Sequence, residues 1–206
     1  MSKLNLHNRN LTTLERIKFP DDLIELDIAN NQLTSLQGCP PNLQILYCSY
    51  NQLTSLQYCS PNLQMLYCSH NQLTSLQYCP PNLQMLYCSH NQLTSLQYCS
   101  PNLQELYCGY NQITSLQYCP PNIKQLYYYR NPLNKEYQSK SINEIHHINQ
   151  IKHFQLGLTK INNIILNHKA SLIQRCWSAY WYKPNQNNES KIGLYYYQQY
   201  MKEINI

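Results

Sequence analysis

"LYCSHNQLTSLQYCPPNLQMLYCSHNQLTSLQYC", residues 66–99, places Cys68, Cys79, Cys88 and Cys99 in 34 residues, at steps of eleven, nine and eleven. Such a spacing raises four readings: metal ligands, disulfide halves, a reactive dyad, or core positions occupied by cysteine. The stretch is also nearly a copy of itself. Residues 51–70 and 71–90 differ at one position only, Ser60 against Pro80. A fixed period of this kind is read before any single residue.

Read from Leu63, the unit is Leu63-x-x-Leu66-x-Cys68-x-x-Asn71-x-Leu73-x-x-Leu76-x-x-Cys79-Pro80, and Leu83 starts the next. It follows the pattern L-x-x-L-x-L-x-x-N/C-x-L, with Cys68 at the third inward apolar position. The match recurs from Leu23, Leu43, Leu63, Leu83, Leu103 and Ile123, and a degenerate first coil (Leu4, Leu6, Leu11, Leu14) carries a two-residue insertion. In a short strand alternate residues share a face, so Leu66 and Cys68 point inward together, with Leu73, Leu76 and Cys79 on the returning side. The ladder Asn31, Asn51, Asn71, Asn91, Asn111, Asn131 is expected to bond backbone groups left unpaired at each turn.

The cysteines then form two core stacks, a usual place for a small apolar side chain. Adjacent coils are close enough for cross-coil disulfides, so geometry alone does not forbid them. A reducing compartment does, and "MSKLNLHNRNLTTL" has no secretory h-region. Zinc would need a compact four-ligand cluster, and short C-x-x-C spacing is missing. A reactive thiol would sit beside a cation in partial exposure, not in an apolar stack. The expectation is an intracellular protein with reduced, buried thiols, no metal and no cofactor.

The 20-residue unit is similar to the leucine-rich repeat of bacterial effector proteins, where a Leu-Pro pair stands at the place of Cys79-Pro80. The near-identical "NLQMLYCSHNQLTSLQYC" copies in an Asn- and Tyr-rich chain resemble still more the leucine-rich repeat proteins of giant DNA viruses of the mimivirus type. The resemblance implies an α/β-type solenoid, a horseshoe of about seven coils over residues 1–137. Short parallel strands would line its concave face and irregular segments its convex side. It implies an interaction role and no catalytic residue. Localisation would be the host cytoplasm or the virion.

Positions between the inward residues are expected on the concave face, where solenoids meet partners. They give Tyr47, Tyr67, Tyr87, Tyr107 and Tyr127, beside them Met65 and Met85, and a third line of Tyr50, His70, His90, Tyr110 and Arg130. Tyrosine and methionine are interface-rich residue types, so the expected ligand is a protein. Residues 43–122 hold one charged side chain, Glu105, which argues against nucleic acid on this face. The same neutral ladders also suit self-association into a structural particle.

After Leu133 the pattern stops and the chain turns basic: residues 123–206 hold eleven Lys or Arg against four Glu. Residues 138–206 read as a helical region that caps the array. Ser141 and Glu144 have capping-box spacing, Ile142, Ile145, Ile148 and Ile151 follow at helical intervals, and Gly157 is expected to end this helix before Thr159 caps a second. "ASLIQRCWSAYWYKP", residues 170–184, resembles a degenerate calmodulin-binding IQ motif, with Ser178 and Ala179 where that motif has Arg and Gly. Its candidate contacts are Ile173, Gln174, Arg175, Trp177, Trp181 and Lys183, toward a calmodulin-like protein or nucleic acid. An adaptor or ligase-like role through this tail is the alternative function, with Cys176 the one cysteine outside the repeats. No stretch is apolar enough to span a membrane.

Overall fold

The computed structural model describes residues 2–181, and side chains as far as residue 172. Seven strands run in chain order in one parallel sheet: β1 (Ser2–Asn5), β2 (Leu23–Asp27), β3 (Ile45–Tyr47), β4 (Met65–Tyr67), β5 (Met85–Tyr87), β6 (Glu105–Tyr107) and β7 (Gln125–Tyr127). They mark about six turns of a solenoid. From β2 onward the register is invariant, Glu25 beside Ile45 beside Met65 beside Met85 beside Glu105 beside Gln125. A period of 20 residues with no slip puts every side chain next to its own equivalent. In the first coil the two extra residues lie between the strands, so Lys3 stands beside Glu25 and Leu4 beside Leu26, with the register shifting once between Ser2 and Lys3.

The core is a column of repeated side chains. In one coil Leu63, Leu66, Cys68, Leu73 and Leu76 are fully buried, and the same set recurs in each neighbour. Each buried leucine contributes about 1.5–3 kcal/mol of hydrophobic stabilisation. One coil could not cover these residues alone; stacking covers them, so the fold is a property of the array. Cys39, Cys59, Cys79 and Cys99 pack partly buried against this column. All nine cysteines of the repeats are free thiols.

The chain divides into two compact units, Met1–Asn149 and Gln150–Ile206. The first includes the start of a helix. A 3₁₀ turn at Lys135–Tyr137 leads to α1, Ile142–Trp181. Tyr137 and Ile145 are fully buried in the core cluster, and Ile142 and Ile148 pack against it. Asn149 Nδ2 donates to Leu116 O at 2.8 Å, and Tyr137 Oη donates to Asn149 Oδ1 at 2.9 Å. Ser141 N and Oγ both donate to Glu144 Oε2, at 2.9 and 2.8 Å, while Glu144 N donates back to Ser141 Oγ at 3.3 Å. This reciprocal capping box fixes where α1 begins.

The second unit corrects one sequence expectation. α1 continues through Gly157 without a break for 40 residues. An interior glycine costs about 1 kcal/mol relative to alanine, less than the hydrogen bonds a break would sacrifice. Thr159 does not cap a new helix; its Oγ1 donates to Gln155 O at 3.0 Å, one turn back. Among the described residues no helix is long and apolar enough to cross a membrane.

Candidate functional site

Strand β4 reads Met65-Leu66-Tyr67, with the leucine buried and its neighbours half exposed. Repetition turns this alternation into a surface. Tyr47, Tyr67, Tyr87, Tyr107 and Tyr127 stack face to face, with ring centroids 4.6, 4.6, 4.2 and 4.4 Å apart. Strand separation of about 4.8 Å sets that spacing. Ring faces are spent on one another, so edges and hydroxyls remain for anything that binds. Met65 and Met85 form the adjacent row.

A second ring row lies just past the strands. Tyr50, His70, His90 and Tyr110 stack at 4.2, 4.1 and 4.2 Å, each on a backbone with φ between 52° and 56°. The left-handed region is uncommon for such residues, and the tight turn into the Asn ladder requires it. Arg130, expected to continue the row, does not stack on Tyr110. Tyr129 does so edge-on, at 5.2 Å and 81°. Gly109 makes room: a Cβ there would stand 3.1 Å from the Tyr129 ring.

The strand face is electrically quiet. Burial pushes the phenols of Tyr67 and Tyr87 above the usual tyrosine range, helped at Tyr87 by Tyr107 and by Glu105. Tyr87 Oη meets Glu105 Oε2 at 3.4 Å and Tyr107 Oη donates to Gln125 Oε1 at 3.2 Å. Burial, then the neighbouring His90, lowers the pKa of His70, so this imidazole is neutral at pH 7. At the amino-terminal edge Lys3 Nζ lies 2.6 Å from Glu25 Oε2, and His7 Nδ1 lies 3.8 Å from Asp27 Oδ1.

Beneath the ring rows the asparagine ladder holds the turns. Asn51, Asn71, Asn91 and Asn111 are buried. Asn71 Nδ2 donates to Cys48 O at 3.0 Å and Cys68 O at 3.1 Å, and Asn71 Oδ1 accepts from Leu53 N at 2.9 Å. Asn31 accepts from Arg9 N and Leu11 N, adapting to the longer first coil. Asn131 donates to Cys108 O and Tyr128 O at the other end. The thiols nearby are chemically silenced. Burial raises Cys39, Cys108 and Cys119 to about 12 and Cys79 to about 11, and moves Cys48, Cys59, Cys88 and Cys99 well above the ordinary range. Among the described residues no group of three or more His, Cys, Asp or Glu could hold a metal ion.

Two surfaces escaped the sequence reading. A groove of about 640 Å³ is lined by Asn42, Asn62, Asn82 and Asn102 with Gln44, Gln64 and Gln84. Its signal was present in the recurring Asn-Leu-Gln, read only for its leucine. Tyr58, Tyr78 and Tyr98 form an exposed row at φ 67° to 71°, where the coil that begins at Leu23 has Gly38 at φ 89°. The tail candidates Ile173, Gln174, Arg175, Trp177 and Trp181 lie on α1, with side chains outside the described part. Lys183 lies outside the described residues. His146 of α1 faces Pro120 O at 3.2 Å.

Residues 41–78 and 81–127 match the family model for leucine-rich repeats in two copies. Among solved structures, YopM from Yersinia enterocolitica is similar at 33% identity and a TM-score of 0.57, over 66% of this chain and 30% of that one. The leucine-rich repeat domain of a Shigella effector is similar at 32% identity and a TM-score of 0.45, over 63% of this chain and 49% of that one. Internalin C2 from Listeria monocytogenes is similar at 25% identity and a TM-score of 0.48, over 65% and 73%. The chain thus spans under a third of the YopM chain. No curated protein matches the sequence.

Proposed function

We propose that this leucine-rich repeat array is a non-catalytic interaction module that binds a protein partner through its concave strand face. The contact set is Tyr47, Met65, Tyr67, His70, Met85, Tyr87, His90, Tyr107, Tyr110 and Tyr127. The observation that carries the reading is the uninterrupted tyrosine stack across β3 to β7. Stacked rings are already ordered, so a partner that meets their edges costs them little further rotamer entropy. Leucine-rich repeat folds typically serve protein–protein interaction, and their repeats present extended surfaces suited to it. The nine thiols of the repeats are buried or partly buried with raised pKa values, which makes them poor nucleophiles.

We further propose that residues 138–149 close the carboxy-terminal end of the array, since Ile145 is buried in its core and Asn149 donates to Leu116 O of the coil that begins at Leu103. The likeness to giant-virus repeat proteins rests on the copies and composition alone; the structures compared above are bacterial. A calmodulin-like protein, or nucleic acid, at the tail is an alternative supported only by the sequence of residues 170–184.

The test is affinity capture from the native cell with the full chain and with a Tyr67→Ala/Tyr87→Ala variant, bound proteins being identified by mass spectrometry. A partner lost at least tenfold by the variant, with near-ultraviolet dichroism showing an intact array, supports the reading. A partner retained in full moves the site off the strand face.

A further inference from the structure

Past Asn149, α1 carries apolar residues at Ile151, Phe154, Leu158, Ile161, Ile165 and Leu172, with His168 in the same series. The steps alternate three, four, three, four, three, four. This is the a/d spacing of a coiled-coil seam, with Ile151, Leu158, Ile165 and Leu172 at one position and Phe154, Ile161 and His168 at the other. The seam faces water: Ile151 is 44% exposed, Phe154 67%, Leu158 46%, Ile161 55% and Ile165 46%. A helix gains its stability in water from packing such a face.

We propose that α1 pairs with α1 of a second copy of this chain, parallel and in register, as a two-stranded coiled coil over residues 151–172. A stripe of period 3.5 is complementary to a helix of the same period, and the same chain supplies one. Charge agrees. The positions flanking the seam are Gln155, Gly157, Asn162, Ile164, Lys169 and Ser171, with one cation among them and no acid, so two copies meet without opposed rows of like charge. The length agrees as well. At 1.5 Å per residue the seam runs about 33 Å, and seven side chains at roughly 100 Å² each cover about 700 Å² per helix, close to a standard interface. Orientation follows from His168. A single polar layer fixes register by meeting its own kind; parallel pairing sets His168 against its equivalent, whereas antiparallel pairing, which places one seam position opposite the other, sets it against an apolar residue such as Leu158.

Sedimentation equilibrium of the full chain from 1 to 100 μM (concentrations chosen on the order of ordinary dimer affinities) tests this. Twice the chain mass is expected. Phe154→Gln with Ile161→Gln is expected to raise the dissociation constant at least about 100-fold, while Leu156→Gln, equally apolar and 51% exposed but off the seam, leaves it unchanged. Oxidation of a Phe154→Cys/Cys176→Ser chain is expected to lock the dimer covalently, because parallel in-register helices bring those positions together. A monomer throughout, a dimer indifferent to the double change, equal loss with Leu156→Gln, or a dimer that Phe154→Cys fails to lock would each overturn the proposal. Tyr67→Ala/Tyr87→Ala leaves the dimer intact, which separates this surface from the strand face.

Discussion

Asn71 and Asn91 converge on one acceptor: the carbonyl oxygen of Cys68 receives Asn71 Nδ2 at 3.1 Å and Asn91 Nδ2 at 3.0 Å. Each asparagine therefore serves its own coil and the one before it. Asn71→Ala strips Leu53 N–H of its partner but leaves Cys68 O bonded to Asn91. A cost of about 2 kcal/mol is expected, that of one buried orphaned donor plus weakened acceptors. Asn71→Ala with Asn91→Ala removes both donors from Cys68 O, so the double change should exceed the sum of the singles by about 1 kcal/mol. Urea unfolding of the four proteins in the cycle measures this, and strict additivity would refute the shared-acceptor account.

The buried thiols give a second expectation. In a Cys176→Ser chain at pH 8, an aromatic disulfide reagent should label the folded protein at under a hundredth of the rate of the unfolded chain, because the thiolate is the reacting species. The same burial sets an alkaline limit. Thiol pKa values are raised on folding, so their contribution is complete below the unfolded value near 9 and is lost as pH rises toward about 11 to 12. Stability that stays flat from pH 8 to 11 would contradict this.

His70 works in the opposite pH range. Its pKa is lowered in the fold, so the folded chain binds its proton less readily than the unfolded one. Stability is complete above the unfolded value near 6.5 and declines as pH falls below it. His70→Tyr keeps a ring at the site, as Tyr50 and Tyr110 do in their coils, and should make the melting temperature less sensitive between pH 7 and pH 5. An unchanged slope would remove His70 from the explanation.

Gly38 and Tyr78 occupy equivalent turns with opposite tolerances. A Cβ on Gly38 would lie 2.9 Å from Glu15 N, at φ 89°, because the longer first coil brings its backbone close. Gly38→Ala is expected to cost about 2 kcal/mol from backbone strain and contact together. Tyr78→Ala, at a position 56% exposed, should change stability by about 0.5 kcal/mol or less. Thermal melts of both variants decide it.

Leucine spacing made the coil, its inward faces and the two cysteine stacks readable, because burial period and chain period coincide at 20 residues. The Asn71 position was readable for the same reason: a lone amide between buried leucines has few roles. What escaped was conformational or relational. Nothing local marks Tyr58 or Tyr78 for a left-handed backbone, which that residue type seldom adopts. The edge-on turn of Tyr129 depends on Gly109, twenty residues earlier. Gly157 looked like a helix stop, yet glycine weakens a helix without ending it. The Asn42–Asn102 groove exists only once four coils are stacked, and the seam of α1 emerged when the expected break at Gly157 vanished.

The unslipped register has an evolutionary edge. Joining His70 directly to Asn91, with residues 71–90 removed, would recreate the asparagine contacts between coils, since Asn91 would find Cys48 O and Leu53 N where Asn71 finds them now. Misaligned exchange between copies of the gene can therefore lengthen or shorten this protein by whole units without a misfit at the junction. The reach of its tyrosine face becomes an adjustable ruler, graduated in steps of about 4.8 Å, whose length can change in one recombination event while both ends stay intact.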